Sequence, residues 1–287
     1  MYEKYMSEGT THSRTERTAP SVHPSSVVEA GAVLGAGVEI GPFCHVGARV
    51  RLDDGVRLRS HVSVVGITHV GTACDLYPGV ALGGDGQIRG NDFTEGRLEI
   101  GAGCVLREMV SMHVGSRKGG GMTRVGANGY FMANSHIGHD CRVGEGVTFA
   151  NSVALGGHVE IGDGVIFGGL SAVQQFCRVG KGAMIGGLTG VNRDVIPYAM
   201  AFGDHAELAG LNLIGLKRRG LSRDTINVLR ATFRLVFHGE EGSVADRARA
   251  ARTRYPEIAQ VGEIADFILA DAKQELCLAR QRGTFRE

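Results

Sequence analysis

The chain has 287 residues, of which 43% are hydrophobic, and its 31 basic side chains nearly balance 30 acidic ones. A net charge of +1 gives no global field to attract nucleic acid, and the sequence contains no apolar segment long enough for stable membrane insertion. Residues 1–20 are polar and hold no apolar run typical of a signal sequence, so they predict a flexible N-terminal tail on a cytoplasmic protein.

Large apolar residues recur every six positions through the first two thirds of the chain. The run is unbroken from Val28 to Leu82, resumes in phase at Ile100, and continues after a one-residue slip from Val125 to Val191. A period of six fits neither an α-helix nor a flat strand, but it is typical of a solenoid with one short strand and one tight turn per hexad. Three hexads then close one coil of about eighteen residues. We therefore predict a parallel β-helix over residues 21–205.

A small or β-branched side chain stands two positions before most of the large apolar ones. Five of the six cysteines occupy this slot: Cys44, Cys74, Cys104, Cys141 and Cys177. No CxxC spacing occurs, and a buried free cysteine behaves as a small hydrophobic residue. We predict that these cysteines fill the core and neither bind metal nor form disulfides.

Two segments leave the repeat, residues 83–99 and residues 113–124. A loop that interrupts a regular coil beside a polar cluster is a candidate wall of a functional site, and a plain surface excursion is the alternative.

The densest polar cluster surrounds one repeat position, Ile137. His139 and Asp140 then lie in the following turn, outside the coil. His158 comes one coil and one residue later, which places it about 5 Å from His139. A histidine that has an adjacent carboxylate to orient it is suited to general-base catalysis, and solvated turn histidines are the alternative.

After about residue 206 the repeat stops, and residues 206–287 predict a small helical domain. Ser222 to His238 has the apolar spacing of an amphipathic helix, and Ser243 can cap a second helix that ends before Pro256. A third helix is indicated by the apolar residues Ile264, Phe267, Ile268 and Leu276.

Several motifs extend beyond what the repeat requires. They are NSHIGHDC at 134–141, GGH at 156–158, QQFC at 174–177, GDHA at 203–206 and GLNLIGLKRRG at 210–220. In this order, from about Val22 to the end, the chain resembles the acyl-[acyl-carrier-protein]–UDP-N-acetylglucosamine O-acyltransferases, which catalyse the first step of lipid A biosynthesis. The resemblance implies a left-handed parallel β-helix with a small α-helical C-terminal domain, assembled as a homotrimer. It also implies no cofactor and no metal, because the acyl chain arrives on the phosphopantetheine of acyl carrier protein.

The resemblance also assigns roles to individual residues. His139 matches the general base, Asp140 its orienting partner, and Gly157 the backbone N–H donor to the oxyanion. Gly187 matches the far end of the acyl-chain groove. Positions that match contacts to the UDP-sugar or the acyl group are His113, His136, His158, Gln175, Asp204, His205, Asn212, Arg218 and Arg219. From their charge alone, Arg178, Lys181 and Arg193 are expected to face outward, where they either steer the acidic carrier protein or only keep the surface soluble.

The first loop departs from the family pattern, because Ile88 and Gly90 stand where a carboxylate and a lysine are common. The acceptor is therefore either the 3-hydroxyl of a UDP-glucosamine-type sugar or the nitrogen of a UDP-2,3-diamino sugar. Three other interpretations remain: a CoA-dependent hexapeptide transferase, a zinc carbonic anhydrase that needs three converging histidines, and a non-catalytic scaffold.

Overall fold

A computed structural model describes residues 18–280, so the predicted tail lies outside the described residues up to residue 17. Strands three apart in the sequence pair in parallel and in register, as Tyr130 does with Thr148, so each coil adds one strand to each of three sheets. The fold is a left-handed parallel β-helix with a small helical C-terminal part, which confirms the predicted fold class.

Three sheets, here named A, B and C, form the walls of the coil within the described residues. Sheet A contains β1 (Ser21–Val22), β4 (Glu39–Ile40), β7 (Arg57–Leu58), β10 (Asp75–Leu76), β13 (Val105–Leu106), β16 (Tyr130–Phe131), β19 (Thr148–Phe149), β22 (Ile166–Phe167), β25 (Met184–Ile185), β27 (Ala199–Phe202) and β28 (Glu207–Leu211). Sheet B contains β2 (Val27–Val28), β5 (His45–Val46), β8 (Ser63–Val64), β11 (Ala81–Gly84), β14 (Ser111–His113), β17 (His136–Ile137), β20 (Ala154–Leu155), β23 (Ala172–Val173) and β26 (Gly190–Val191). Sheet C contains β3 (Val33–Leu34), β6 (Arg51–Leu52), β9 (Ile67–Val70), β12 (Arg97–Ile100), β15 (Met122–Val125), β18 (Arg142–Val143), β21 (Glu160–Ile161) and β24 (Arg178–Val179).

The repeat residues fill the inside of the coil. Phe131, Phe149 and Phe167 stack on successive rungs of sheet A, with ring centroids 5.1 and 4.8 Å apart and edge-to-face geometry. The five repeat cysteines are buried and free, as predicted, and so is Cys277. The hydrophobic effect of this continuous column is the main stabilising term of the fold.

Both excursions leave the coil at the same edge, where sheet B turns into sheet C. The first spans residues 85–96 between β11 and β12, and the second spans residues 114–121 between β14 and β15. The flanking strands extend into the segments that the sequence marked as loops. The turn that carries His139 and Asp140 lies on this same B–C edge, between β17 and β18.

The C-terminal part begins with an antiparallel hairpin and continues with four helices within the described residues. The strand β28 pairs with β27, so residues 207–211 of the predicted helical domain are a strand whose Leu208 and Leu211 are buried. The helices are α1 (Leu213–Arg218), α2 (Arg223–His238), α3 (Val244–Arg254) and α4 (Ala259–Leu269).

The cap predicted at Ser243 is present, but one predicted helical residue is misplaced. Ser222 caps α2, and Ser243 forms a capping box with Asp246 at the start of α3. Leu276, expected in the third helix, lies beyond α4 in an extended segment that bridges to Asp194. This segment buries Cys277 and takes its backbone hydrogen bonds from the coil, which a continued helix would not do. Among the described residues, no helix is long and apolar enough to cross a membrane.

Candidate active site

His139 and Asp140 form a buried hydrogen-bonded pair in a turn on the B–C edge. The distance from Nδ1 of His139 to Oδ2 of Asp140 is 2.7 Å, and the two side chains are 4% and 1% exposed. Because a carboxylate only accepts, Nδ1 carries the proton and Nε2 is left with a lone pair. Nε2 is buried and has no hydrogen-bond partner within residues 18–280. This imidazole can accept a proton from a substrate placed beside Nε2.

The imidazole of His139 is enclosed by groups from two other parts of the chain. Phe93 of the first excursion meets it edge-on, with ring centroids 5.9 Å apart. Gly157, one rung above, lies so close that a Cβ there would be 2.4 Å from Cε1 and Nε2 of His139. None of the hydrogen bonds among the described residues uses the Gly157 N–H as a donor. The absence of a side chain at Gly157 therefore leaves room for the imidazole of His139, and the backbone N–H of Gly157 lies beside this ring.

His158 lies directly above the pair, as its spacing in the sequence predicted. Its ring centroid is 5.0 Å from that of His139, and its Nε2 is 3.7 Å from Oδ2 of Asp140. Burial lowers the pKa of His158, and the charges of His139 and Lys273 lower it further against the opposing effect of Asp140. His158 also stacks on Phe176, at a centroid distance of 4.6 Å.

A second pair of histidines lies on the outer side of sheet B. The rings of His113 and His136 are 5.1 Å apart, and Ser111 hydrogen-bonds Nδ1 of His136 at 2.9 Å. His113 donates to the backbone oxygen of Asp85, which belongs to the first excursion. Burial, with a smaller contribution from His113, lowers the pKa of His136 to about 4. His136 is thus a neutral group at physiological pH.

Two other predicted sugar contacts lie on rungs above His139, on the side of the coil that carries sheet B. They are Gln175 and the pair Asp204 and His205. Exposed Gln175 is in the next B–C turn above His158, and its backbone oxygen accepts a hydrogen bond from Gln274. Asp204 and His205 form the exposed tip of the β27–β28 hairpin, where His205 contacts Asn192 at 3.0 Å. Asn192 follows β26, so this tip lies three rungs above His139, roughly 15 Å away at the usual strand spacing.

The remaining sugar-contact candidates lie on another edge of the same chain. Arg219 donates to the backbone oxygen of Gly164, in a turn between sheets C and A. Arg218 is exposed at the end of α1. Asn212 is largely buried, caps α1 through Gly215, and donates to the backbone oxygen of Gly182. Within one chain, the structure does not bring these residues to His139.

Gly187 lies on the third edge, in the turn from β25 to β26. A Cβ at this position would meet nothing nearer than the oxygen of Gly169 at 3.3 Å, and the backbone of Gly187 does not have a positive φ. The turn therefore does not require glycine. Leu170 and Leu188, the residues that follow Gly169 and Gly187 in the sequence, are 63% and 72% exposed.

The three proposed carrier-steering cations are engaged by the C-terminal part. Arg178 binds buried Asp194 at 2.7 Å and the backbone oxygen of Phe267, Lys181 binds Glu263, and Arg193 approaches Glu275. Arg178 is therefore turned toward the C-terminal part and is only 15% exposed, whereas Lys181 and Arg193 are 43% and 41% exposed, so steering of the carrier protein by these two side chains stays a prediction.

Among residues 18–280, His139, Asp140 and His158 could hold a metal ion by proximity, with ligand atoms within 4.8 Å of one another. The 2.7 Å contact between His139 and Asp140 is, however, a hydrogen bond in which a proton lies between the two atoms. His136 is not a member of this group, so the described residues of one chain do not by themselves bring three histidines together as a zinc carbonic anhydrase requires.

Sequence reasoning missed the groups that the excursions bring to the pair. Ser116 of the second excursion donates to Asp140, and Phe93 of the first packs on His139. Thr123 on β15 accepts the N–H of Asp140. The broken repeat marked both segments as site walls, but no periodicity indicates which of their side chains turn inward.

The fold and the site define a class: a hexapeptide-repeat β-helix enzyme with a His–Asp pair suited to proton abstraction. The family model for UDP N-acetylglucosamine O-acyltransferase, domain 2, matches residues 194–277. The acyl-[acyl-carrier-protein]–UDP-N-acetylglucosamine O-acyltransferase of Mesorhizobium japonicum is 52% identical over 92% of this chain and 94% of its own length. The protein of that name from Caulobacter vibrioides is 47% identical over 90% of this chain and 98% of its own.

Solved structures of UDP-N-acetylglucosamine acyltransferases have a similar fold. LpxA from Acinetobacter baumannii has a TM-score of 0.85 at 34% identity, covering 90% of this chain and 99% of that one. The UDP-N-acetylglucosamine acyltransferase from Campylobacter jejuni also has a TM-score of 0.85, at 32% identity, covering 91% of this chain and 100% of that one. The chain belongs to the family of acyl-[acyl-carrier-protein]–UDP-N-acetylglucosamine O-acyltransferases.

Proposed function

We propose that this protein transfers a 3-hydroxyacyl chain from acyl carrier protein to the 3-position of UDP-N-acetylglucosamine, the first step of lipid A biosynthesis. The observation that carries the proposal is the buried His139, whose Nδ1 is held by Asp140 and whose Nε2 has no partner among the described residues. The membership of the chain in the family identifies the substrates for which this base is suited.

In the proposed reaction, Nε2 of His139 takes the proton of the sugar hydroxyl as its oxygen attacks the thioester carbon. The carbonyl oxygen becomes an oxyanion, to which the Gly157 N–H donates. The tetrahedral intermediate collapses, the C–S bond breaks, and the phosphopantetheine sulfur leaves with the proton that His139 returns. His136, His113 and Gln175 are assigned to the sugar and His158 to the neighbourhood of the acyl group. The protein supplies no cofactor of its own.

The acceptor has a second candidate. Ile88 has an apolar side chain that is partly buried against the core, and Gly90, exposed with open space around it, has no side chain. Neither residue therefore offers the sugar a charged group. A UDP-2,3-diamino sugar, acylated on its nitrogen, is therefore an alternative acceptor for the same base.

The proposal includes a homotrimer. His139, Arg219 and Gly187 lie on three different edges of one coil, although all three are assigned to the same pair of substrates. Side-by-side packing of copies around a threefold axis would let the edge of one chain face another edge of its neighbour. In that arrangement Arg218, Arg219, Asn212, Asp204 and His205 bind the nucleotide, and Gly187 borders the acyl groove. The proposed reaction takes place in the cytoplasm.

The test is a transfer assay with purified protein, acyl carrier protein thioesters and two acceptors, UDP-N-acetylglucosamine and its 2,3-diamino analogue. Mass spectrometry identifies the product, and mild base distinguishes an ester, which is cleaved, from an amide, which is not. Acyl-CoA thioesters form a third arm. Transfer from acyl-CoA alone, or from neither donor, would contradict the proposed donor.

A further inference from the structure

Ser116, in the second excursion, contacts both oxygens of the Asp140 carboxylate. Its backbone N–H donates to Oδ1 at 2.9 Å, and its hydroxyl donates to Oδ2 at 2.7 Å. Ser116 is 1% exposed, so both bonds are shielded from water. Together they offset the cost of burying the carboxylate and fix the plane in which it lies.

The Ser116 hydroxyl binds the one carboxylate oxygen of Asp140 that lies near both His139 and His158. Oδ2 of Asp140 is 2.7 Å from Nδ1 of His139 and 3.7 Å from Nε2 of His158. Without the hydroxyl, Oδ2 would be held by Nδ1 of His139 alone, and a rotation about the Cβ–Cγ bond toward Nε2 of His158 would break one hydrogen bond fewer. The hydroxyl opposes this rotation because it binds the same oxygen that His139 binds.

The position of Ser116 depends on the fold of its own loop. Its hydroxyl oxygen caps the short 3-10 turn Arg117–Gly119 by accepting the N–H of Gly119 at 3.1 Å. Gly119 passes so close to the pair that a Cβ there would lie 2.2 Å from Cγ of Asp140. The N–H of Arg117 donates to the backbone oxygen of Asp92, which ties the second excursion to the first.

We infer that Ser116 is a positioning residue: it holds the Asp140 carboxylate on Nδ1 of His139, so that Nε2 of His139 faces the substrate as a proton acceptor. This inference rests on the proposed function for its kinetic consequence. Its structural consequence, the tautomer of His139, does not depend on which substrates the enzyme uses.

The experiment compares two variants, Ser116→Thr and Ser116→Val. Threonine keeps a hydroxyl, and valine has nearly the same shape as threonine but no hydroxyl. We expect Ser116→Thr to retain kcat and Ser116→Val to lose about 10²-fold in kcat, the scale of a misplaced catalytic group, with KM for the UDP-sugar nearly unchanged. Ser171→Ala is the matched control, because Ser171 is equally buried and donates its hydroxyl to the backbone oxygen of Gly168.

The second readout is the ring tautomer of His139, measured by 15N NMR on histidine-labelled protein. We expect the Nδ1–H form in wild type and in Ser116→Thr, and a substantial Nε2–H population in Ser116→Val. Equal tautomers in the two variants, or equal kcat values, would overturn the assignment. If the wild type transfers no acyl group, the proposed function fails, while the tautomer comparison still decides the role of Ser116.

Discussion

Replacing Gly157 by alanine tests whether the close fit of His139 matters for catalysis. The added methyl carbon would lie 2.4 Å from Cε1 and Nε2 of His139, whereas ordinary contact begins at 3.4 Å. The imidazole must therefore move by 3.4 − 2.4 = 1.0 Å. A displacement of that size at a catalytic group costs about 10²-fold in rate, or about 2.7 kcal/mol in the activation barrier. The backbone at Gly157 does not have a positive φ, so alanine does not strain the turn.

The assay is acyl transfer from a 3-hydroxyacyl carrier protein to UDP-N-acetylglucosamine, with thermal unfolding as a check on the fold. Gly47→Ala is the matched control, because Gly47 lies in a lower turn of the same edge and a Cβ there would be 3.4 Å from its nearest neighbour, Val65. We expect the control to keep wild-type turnover. If Gly157→Ala turns over within about twofold of wild type, the packing argument for the base is refuted.

Three further predictions concern sites shared between subunits, the length of the acyl chain and the pH dependence of stability. Mixing subunits of His139→Ala and Arg219→Ala, each weakly active alone, should restore part of the activity on reassembly, whereas no restoration would show that sites are not shared between copies. Gly187→Met should shift preference toward shorter acyl chains in competition assays, since each enclosed methylene contributes up to about 0.8 kcal/mol, and an unchanged length profile would remove Gly187 from the groove. Burial, with a smaller contribution from His113, lowers the pKa of His136 from 6.5 to about 4 in the folded protein. The folded state favours the neutral ring, so the contribution of His136 to the free energy of unfolding is complete above pH 6.5 and is lost as the pH falls toward 4. The Tm of His136→Gln should accordingly fall less than that of wild type between pH ~7 and ~4.5, and an equal fall would contradict the shift.

The coil could be predicted from the sequence because its period is local. Every hexad repeats the same strand and turn, so one inward residue such as Ile137 fixes the outward position of His139 in the next turn. The spacing to His158 is then a geometric consequence, and the 5.0 Å between the two rings confirms it. Resemblance to the family added the roles of these residues, which spacing alone left open.

Side chains in the excursions and in the C-terminal part follow no such period. Ser116 reaches Asp140 only because its loop folds back over the B–C edge. Residues 207–211 form a strand because the exposed end of sheet A offers them a partner, and Leu276, beyond the end of α4, forms a β-bridge with Asp194. Arg178, expected to face outward, is instead covered by α4, where the centroid of the Phe267 ring lies 4.3 Å from the guanidinium carbon. In each case a tertiary contact overrides the local pattern.

The central claim is that Nε2 of His139 removes the proton of the acceptor sugar during transfer from acyl carrier protein. The most direct measurement compares single-turnover rates of wild type and His139→Ala, with both donor and acceptor saturating and the assembly confirmed by light scattering. A general base contributes about 10²–10⁴-fold, so the variant should lose at least that range while it stays folded and assembled. A folded His139→Ala protein that turns over at nearly the wild-type rate would contradict the claim.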